Sequence, residues 1–274
     1  MSTMFRVDRA KPCIVCKKSD WCVYGKDVAI CMRVPSSRPK TFSDGSMGWL
    51  HSRDGSPLPT LPPKPPVIVS KDSNRIVLEW RAKWGTASLD YLAKTLAVTK
   101  ESLEMLGCVK APQHAVWGFP MHDGKGFIIG IRMRHENGRK WCEPGGHNGL
   151  FLPLCIPTRE VVICEGPTDT AAALSIGLFA IGRFNCCGGI GQIQEYIKRL
   201  GIKRATIVAD VDQDRKINGN TINPGIQGAI ALGEVIGIPS RCVTLPTKDM
   251  REFVAKGGTA EHFQAIASQN VWNK

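Results

Sequence analysis

The sequence predicts an α/β protein: a mostly parallel sheet lobe joined to a smaller mixed α+β lobe, preceded by a cysteine-rich module on a proline-rich linker. Three observations predict it. In the carboxyl-terminal half, apolar runs at 161–164, 179–181, 205–209 and 242–245 alternate with helical patterns at 168–176, 190–200, 226–236 and 250–256. That alternation is the signature of a right-handed, parallel α/β sheet. From 116 to 141, apolar and polar residues alternate around Asp-Gly-Lys-Gly and Glu-Asn-Gly-Arg turns, as in antiparallel strands. Four cysteines crowd into residues 13–31, and eight of the eighteen prolines lie between Pro35 and Pro66. The expected segments are a cysteine module over 1–34, a semi-extended linker over 35–66, the mixed lobe over 67–157 and the parallel lobe over 158–274. Within the linker, Trp49 and Leu50 are the residues expected to dock locally.

The bulk numbers narrow the function. At 274 residues the chain suits a large domain with a satellite and can bury a real core. Thirty-six Lys and Arg against twenty-four Asp and Glu give a formal charge of +12, which suggests a polyanionic partner. No apolar run approaches membrane-spanning length and the first residues carry no secretory apolar region, so a cytoplasmic protein with no membrane partner is expected.

Eleven cysteines in such a compartment argue against a disulfide framework. Cys13, Cys16, Cys22 and Cys31 form a Cys-x-x-Cys knuckle followed by two single cysteines. Four thiolates so spaced can close tetrahedrally on a structural zinc ion if a hairpin at Tyr24-Gly-Lys-Asp27 brings Cys22 to Cys31. A disulfide pair or an iron–sulfur cluster are the alternatives. Lys17, Lys18, Lys26 and Arg33 surround the knuckle, with Trp21 and Tyr24 among them. Interleaved cations and rings suit single-stranded nucleic acid, unless Trp21 packs beneath the metal.

Residues 87–107 read as two helices. Leu89, Leu92, Ala93 and Leu96 lie at helical spacing, and Thr99 opens a capping box with Ser102 in place of the acidic partner. A helix-turn-helix reader is conceivable, but such a stripe is more often core. On the strands that follow, Arg132, Arg134, Arg139 and Lys140 are expected to form a basic ridge. It would either bind phosphate or pair with the acidic lobe.

Two short apolar strands of the parallel lobe both end in carboxylates. Val161-Val-Ile-Cys164 runs into Glu165-Gly-Pro-Thr-Asp169, and Thr206-Ile-Val-Ala209 into Asp210-Val-Asp212. Carboxyl ends of parallel strands line the ligand crevice, so these groups converge on one rim suited to hard divalent ions. The alternative is that acidic residues merely punctuate strand exits. Residues 214–224 read as a polar loop leading into Pro224-Gly225, which opens a helix, and Asp249 ends the last strand.

These motifs resemble the TOPRIM domain, and the order of segments resembles the DnaG-type primases. The Glu165-Gly-Pro-Thr-Asp169 run looks like the family's Glu-Gly-x-x-Asp motif, and Asp210-Val-Asp212 looks like its metal-binding pair. Lys248-Asp249 resembles its later acidic motif, and Arg134 and Lys140 its template ridge. The resemblance implies a TOPRIM parallel-sheet lobe with Glu165, Asp210 and Asp212 as catalytic residues. Glu165, Asp169, Asp210, Asp212 and Asp249 would hold magnesium or manganese. The implied activity is synthesis of short RNA primers on a single-stranded DNA template from ribonucleoside triphosphates, with a replicative helicase on a separate chain. Arg132, Arg134, Arg139, Lys140, Trp21, Lys17 and Lys18 would contact the template. Three departures stand out: four cysteines instead of three with a histidine, a longer stretch after Asp212, and no helicase segment, so that the helicase is expected on a separate chain or the chain is a fragment. A TOPRIM metal-dependent nuclease and a non-catalytic DNA-binding replication factor remain as rivals.

Overall fold

In the computed structural model, the described residues are 4–36, 38–42, 46–53, 72–213, 215–217 and 220–273. They fall into two units, Met1–Ile68 with Lys216–Thr221 and Val69–Arg215 with Ile222–Lys274.

In the first unit, β1 (Phe5–Arg6), β2 (Val23–Tyr24), β3 (Val28–Cys31), β4 (Pro39–Thr41) and β5 (Met47–Ser52) form an antiparallel sheet of order β1-β2-β3-β5-β4. The expected hairpin at Tyr24–Asp27 is present, closed by the Gly25 N–H on Val28 O at 2.8 Å. The core is little more than Val7, Cys13, Cys22 and Cys31 with Val15, Tyr24, Met32 and Val34 around them. So small an apolar centre needs a staple. The ribbon runs further than the cysteine spacing suggests. Residues 39–41 and 47–52, within the proline-rich stretch expected as linker, add two strands, and Leu50 is buried opposite Ile30. Pro39 is tolerated because β4 is an edge strand, where a missing N–H is cheap. The remainder of the expected linker, 54–66, lies outside the described residues.

The second unit begins with α1 (Ser73–Trp84), α2 (Leu89–Leu96) and α3 (Lys100–Met105). Then β6 (Val109–Lys110), β7 (Val116–His122), β8 (Ile128–His135) and β9 (Lys140–Cys142) form an antiparallel sheet in that order. Helix α1 leaves little trace in the sequence pattern, because interspersed charges blur its period. It is capped by the Asp72 side chain and packs Val77 with Ile131 and Met133. The stripe on α2 is core, since Leu89, Leu92 and Leu96 are buried. Thr99 caps α3 by accepting from the Ser102 N–H, as its sequence context suggests.

The parallel lobe follows as β10 (Glu160–Glu165), α4 (Pro167–Ser175), β11 (Ala180–Arg183), α5 (Ile190–Leu200) and β12 (Arg204–Ala209). After it come β13 (Arg215–Ile217), β14 (Asn220–Ile222), α6 (Pro224–Val235), β15 (Ser240–Thr244), α7 (Met250–Ala255) and α8 (Ala260–Ser268). The sheet order is β11-β10-β12-β15, and every neighbouring pair is parallel. Along β10, Val162 and Cys164 enter one apolar cluster while Val161 and Ile163 enter another, as a strand buried on both faces requires. The first cluster joins Leu92, Leu103, Phe119, Ala171, Phe253 and Phe263, so the mixed and parallel lobes share one core. The stretch expected as a plain loop after Asp212 instead carries β13 and β14, paired with each other. No helix among the described residues is long and apolar enough to cross a membrane.

Candidate metal and nucleic-acid site

Strands β10 and β12 are hydrogen-bonded neighbours, so their carboxyl ends open on one rim. Glu165 is the last residue of β10, and Asp210 follows the last residue of β12. Between Glu165 and α4 the chain turns at Gly166, whose φ of 89° is left-handed and costs only glycine little. One turn into α4, the buried Asp169 accepts a hydrogen bond from the Arg251 N–H at 3.1 Å, which draws the start of α7 to the rim. The Val211 N–H donates to Lys248 O at 2.7 Å and brings Asp249 alongside. Asp249 also caps α7 by accepting from the Glu252 N–H at 2.7 Å.

These carboxylates raise one another's affinity for protons. Burial, then the charges of Asp169, Glu165, Asp249 and Asp212, pushes the Asp210 carboxyl up to about 9. Burial and Asp249 push Asp169 up to about 6, and burial lifts Glu165 against the opposing pull of Arg183. Glu165 Oε2 and Asp210 Oδ1 are buried without a hydrogen-bond partner. Buried, mutually repelling and unsatisfied oxygens are what a divalent cation would neutralise, so the donor set fits a hard ion. Among the described residues, only the four cysteines bring three or more ligand atoms within 4.8 Å of one another. The carboxylates are thus less closely gathered than the cysteines.

Asp212 is held by Asn223, a residue that the sequence pattern places only in a polar loop. The Asp212 N–H donates to Asn223 Oδ1 at 3.3 Å, and Asn223 Nδ2 donates back to Asp212 O. Asn223 also caps α6. The small residues that open α6 have a steric cause. A Cβ at Gly225 would lie 2.2 Å from Asp210 O, and one at Gly228 would lie 2.3 Å from Cys186 O.

Facing the carboxylates is a cationic edge. Lys140 on β9 is directly opposite Arg134 on β8, so both side chains leave the same face, and Arg132 lies two residues along it. Burial first, then Arg251, lowers the Arg134 guanidinium from its ordinary value, with Asp169 opposing. Lys140 keeps exposed surface, yet crowding around its ammonium and the nearby Arg134 lower it too. Arg132 donates to Phe184 O at 3.4 Å and Asn148 Oδ1 at 3.5 Å. Among the described residues, none of Arg132, Arg134 and Lys140 forms an ion pair with a carboxylate. Arg139 departs from the expected ridge. It is exposed, just before β9, and lies over the ring of Trp141 at 5.6 Å, which alternates with Lys140 along the strand. Arg251 joins the cationic group in its place. Its position two residues after Asp249 is the one signal of this in the sequence.

In the first unit the four predicted cysteine ligands converge, with all Sγ atoms within 4.8 Å. Cys16 and Cys22 are 3.7 Å apart and Cys22 and Cys31 4.0 Å, close to the edge of about 3.8 Å that zinc–sulfur bonds of about 2.3 Å impose on a tetrahedron. The Met32 and Val34 N–H groups donate to Cys22 and Cys31 Sγ at 3.4 and 3.3 Å, and Arg33 Nη1 lies 3.6 Å from Cys22 Sγ. Such donors stabilise thiolates around a metal. The cluster fits a structural zinc ion.

No family profile and no curated protein matches the sequence. Solved structures do match the fold. A DnaG catalytic core superposes with TM-score 0.55 at 14% identity, covering 73% of this chain and 79% of that one. A DnaG primase catalytic domain bound to single-stranded DNA gives 0.56 at 15%, covering 73% and 78%. The Aquifex aeolicus primase, zinc-binding and RNA polymerase domains, gives 0.54 at 13%, covering 73% and 60%. The chain has the fold of the DnaG-type primases.

On this DnaG-type fold, Glu165, Asp169, Asp210 and Asp249 interact electrostatically at one rim, and Asp212 acts on both Glu165 and Asp210. In the cysteine ribbon Trp21 is 67% exposed, so it does not pack beneath the four cysteines. Lys17 and Lys18 are exposed, with Lys17 Nζ on Ile14 O at 2.8 Å.

Proposed function

We propose that the protein is a DNA-dependent primase that makes short RNA primers on single-stranded DNA by metal-dependent nucleotidyl transfer. The observation that carries this reading is the cationic face of Arg132, Arg134, Lys140 and Arg251 set against the unsatisfied carboxylates of Glu165 and Asp210, on a primase fold. In this reading Glu165, Asp169, Asp210, Asp212 and Asp249 hold magnesium or manganese ions. Such ions, when bound, supply charge neutralisation to a nucleoside triphosphate and acidify the attacking 3′-hydroxyl.

The residues of this chain do the rest. Asn223 fixes Asp212, so that donor is oriented before substrate arrives. Arg134, Lys140 and Arg251 meet the phosphates of template or nucleotide, where charge-assisted hydrogen bonds orient the reacting groups. Trp21, Lys17 and Lys18 offer a ring and cations to an unpaired base and its backbone, which suits a start-site reader. The test is ribonucleotide incorporation on mixed single-stranded DNA templates with and without magnesium. Templated RNA products that vanish in Asp210→Asn support the reading. Magnesium-dependent strand cleavage without synthesis would replace it with a nuclease, and template binding untouched by loss of both Asp210 and Asp212 would mark a non-catalytic replication factor.

A further inference from the structure

Between β11 and α5 the chain presents two adjacent cysteines, Cys186 and Cys187, with sulfurs 3.5 Å apart. Cys187 is exposed and Cys186 half-buried, so the pair is reachable from solvent. Neither belongs to the zinc cluster. The carbonyl of Cys186 is held on two sides. Its O accepts from the buried Arg183 Nη1 at 2.7 Å, and the charge of the same Arg183 acts on Glu165. The same guanidinium donates to Gly228 O at 3.1 Å, and Gly228 presses on Cys186 O so closely that no Cβ fits. Cys187 N–H is tied to Asn185 Oδ1 at 3.0 Å.

We propose that Cys186 and Cys187 form a redox modification site, a dithiol that a hydroperoxide converts to a disulfide between adjacent residues, and that this conversion displaces Arg183 beside Glu165. The exposed Cys187 sulfur, as thiolate, attacks the hydroperoxide oxygen. The O–O bond breaks, hydroxide or alkoxide leaves, and Cys187 becomes a sulfenic acid. Cys186 sulfur then attacks the sulfenyl sulfur. The S–O bond breaks, the departing hydroxide takes the Cys186 proton, and water leaves. The two thiols lose two electrons in all and the hydroperoxide gains them. The sulfurs must close from 3.5 Å to about 2.05 Å around a small ring that encloses the intervening peptide bond. Turning that peptide moves the Cys186 O and the Cys187 N–H, and with the Cys186 O the Arg183 guanidinium bonded to it, whose charge acts on Glu165. The dithiol chemistry stands on this loop alone, whereas its effect on metal rests on the function proposed above.

The experiment uses the full zinc-loaded chain, treated with hydrogen peroxide, alkylated and cut with trypsin. Cleavage after Arg183 and Lys198 releases a peptide whose only cysteines are Cys186 and Cys187. A peptide lighter by two hydrogens, unalkylated and restored by dithiothreitol is the expected result. A doubly alkylated peptide, or Cys187 oxidised further with Cys186 still free, overturns the proposal. Magnesium affinity, read by magnesium-dependent thermal stabilisation, should fall about tenfold or more on oxidation and recover on reduction, as when a group that orients a metal ligand is removed. Cys187→Ser keeps the zinc ribbon and should show no such fall. An equal fall in that variant overturns the coupling. No magnesium response in the reduced protein would instead refute the metal reading, while the peptide still decides the dithiol.

Discussion

Asn223 grips Asp212 from both ends of one amide: its oxygen accepts from the Asp212 N–H and its nitrogen donates to the Asp212 carbonyl. The same residue caps α6, so the acidic pair and the helix behind it are built around a single side chain. Asn223→Ala should therefore cost about 1 kcal/mol of stability through the missing cap and weaken magnesium binding about tenfold or more. Asn223→Asp should restore the cap but not the donor to Asp212. Thermal melts with and without magnesium check both effects; equal recovery of stability and metal affinity in the aspartate variant would contradict the dual role.

Asp210→Asn should abolish synthesis yet stabilise the metal-free protein at alkaline pH. The folded Asp210 carboxyl, raised to about 9, keeps a proton that the unfolded chain has already released. A raised carboxyl contributes stability below its unfolded pKa of about 3.9 and loses that contribution as pH rises toward the folded value. Without metal, stability should fall between about pH 4 and pH 9, with the Asp169 carboxyl, raised to about 6, adding to the early part. The asparagine variant should flatten this slope and raise the melting temperature near pH 8 by a few degrees, at about 2–4 °C per kcal/mol for a unit of this size. Magnesium should flatten the wild-type slope as well. A slope unchanged in the variant would show that Asp210 is not the proton holder.

Arg134→Ala with Lys140→Ala should weaken binding to single-stranded DNA with little sequence preference. The salt slope should shrink by about 0.7 for each phosphate that no longer meets a cation. Arg139→Ala should change neither, since Arg139 lies over Trp141 away from that face. Salt titrations of fluorescent oligonucleotide binding make the comparison. A larger effect from Arg139 than from the pair would relocate the template path.

Cys13→Ser with Cys16→Ser should release one zinc per chain and unfold β1–β5, since the cysteines are most of that sheet's core. The second unit has its own cores and should keep its cooperative melt and its magnesium response. On templates, initiation should disappear while extension of a supplied primer persists. Loss of both together would make the ribbon part of the catalytic machinery.

Much of this architecture is legible in the residues themselves. The parallel lobe shows because strands buried on both faces are continuous apolar runs, and Val161–Cys164 ends abruptly at Glu165. The zinc site shows because thiolate ligands must be near in sequence when the module is too small to gather them by core burial. What stayed hidden depends on partners far along the chain. Helix α1 has its apolar positions diluted by charge, and only the β8 face that receives Val77 makes it a helix worth forming. Strands β4 and β5 lie in a stretch whose prolines suggest an extended tether. They exist because β3 offers an edge, and an edge strand can spare the N–H that Pro39 lacks. Sequence pattern reports which faces are apolar and which strand ends carry charge, because those are local properties. It could not report that Arg139 turns away, that Arg251 joins Arg134 and Lys140, that Asn223 holds Asp212, or that Arg183 bonds to Cys186 O. Those are set by register and by the packing of α7 and α6 on the rim, where a shift of one residue along a strand or a turn along a helix would exchange every partner.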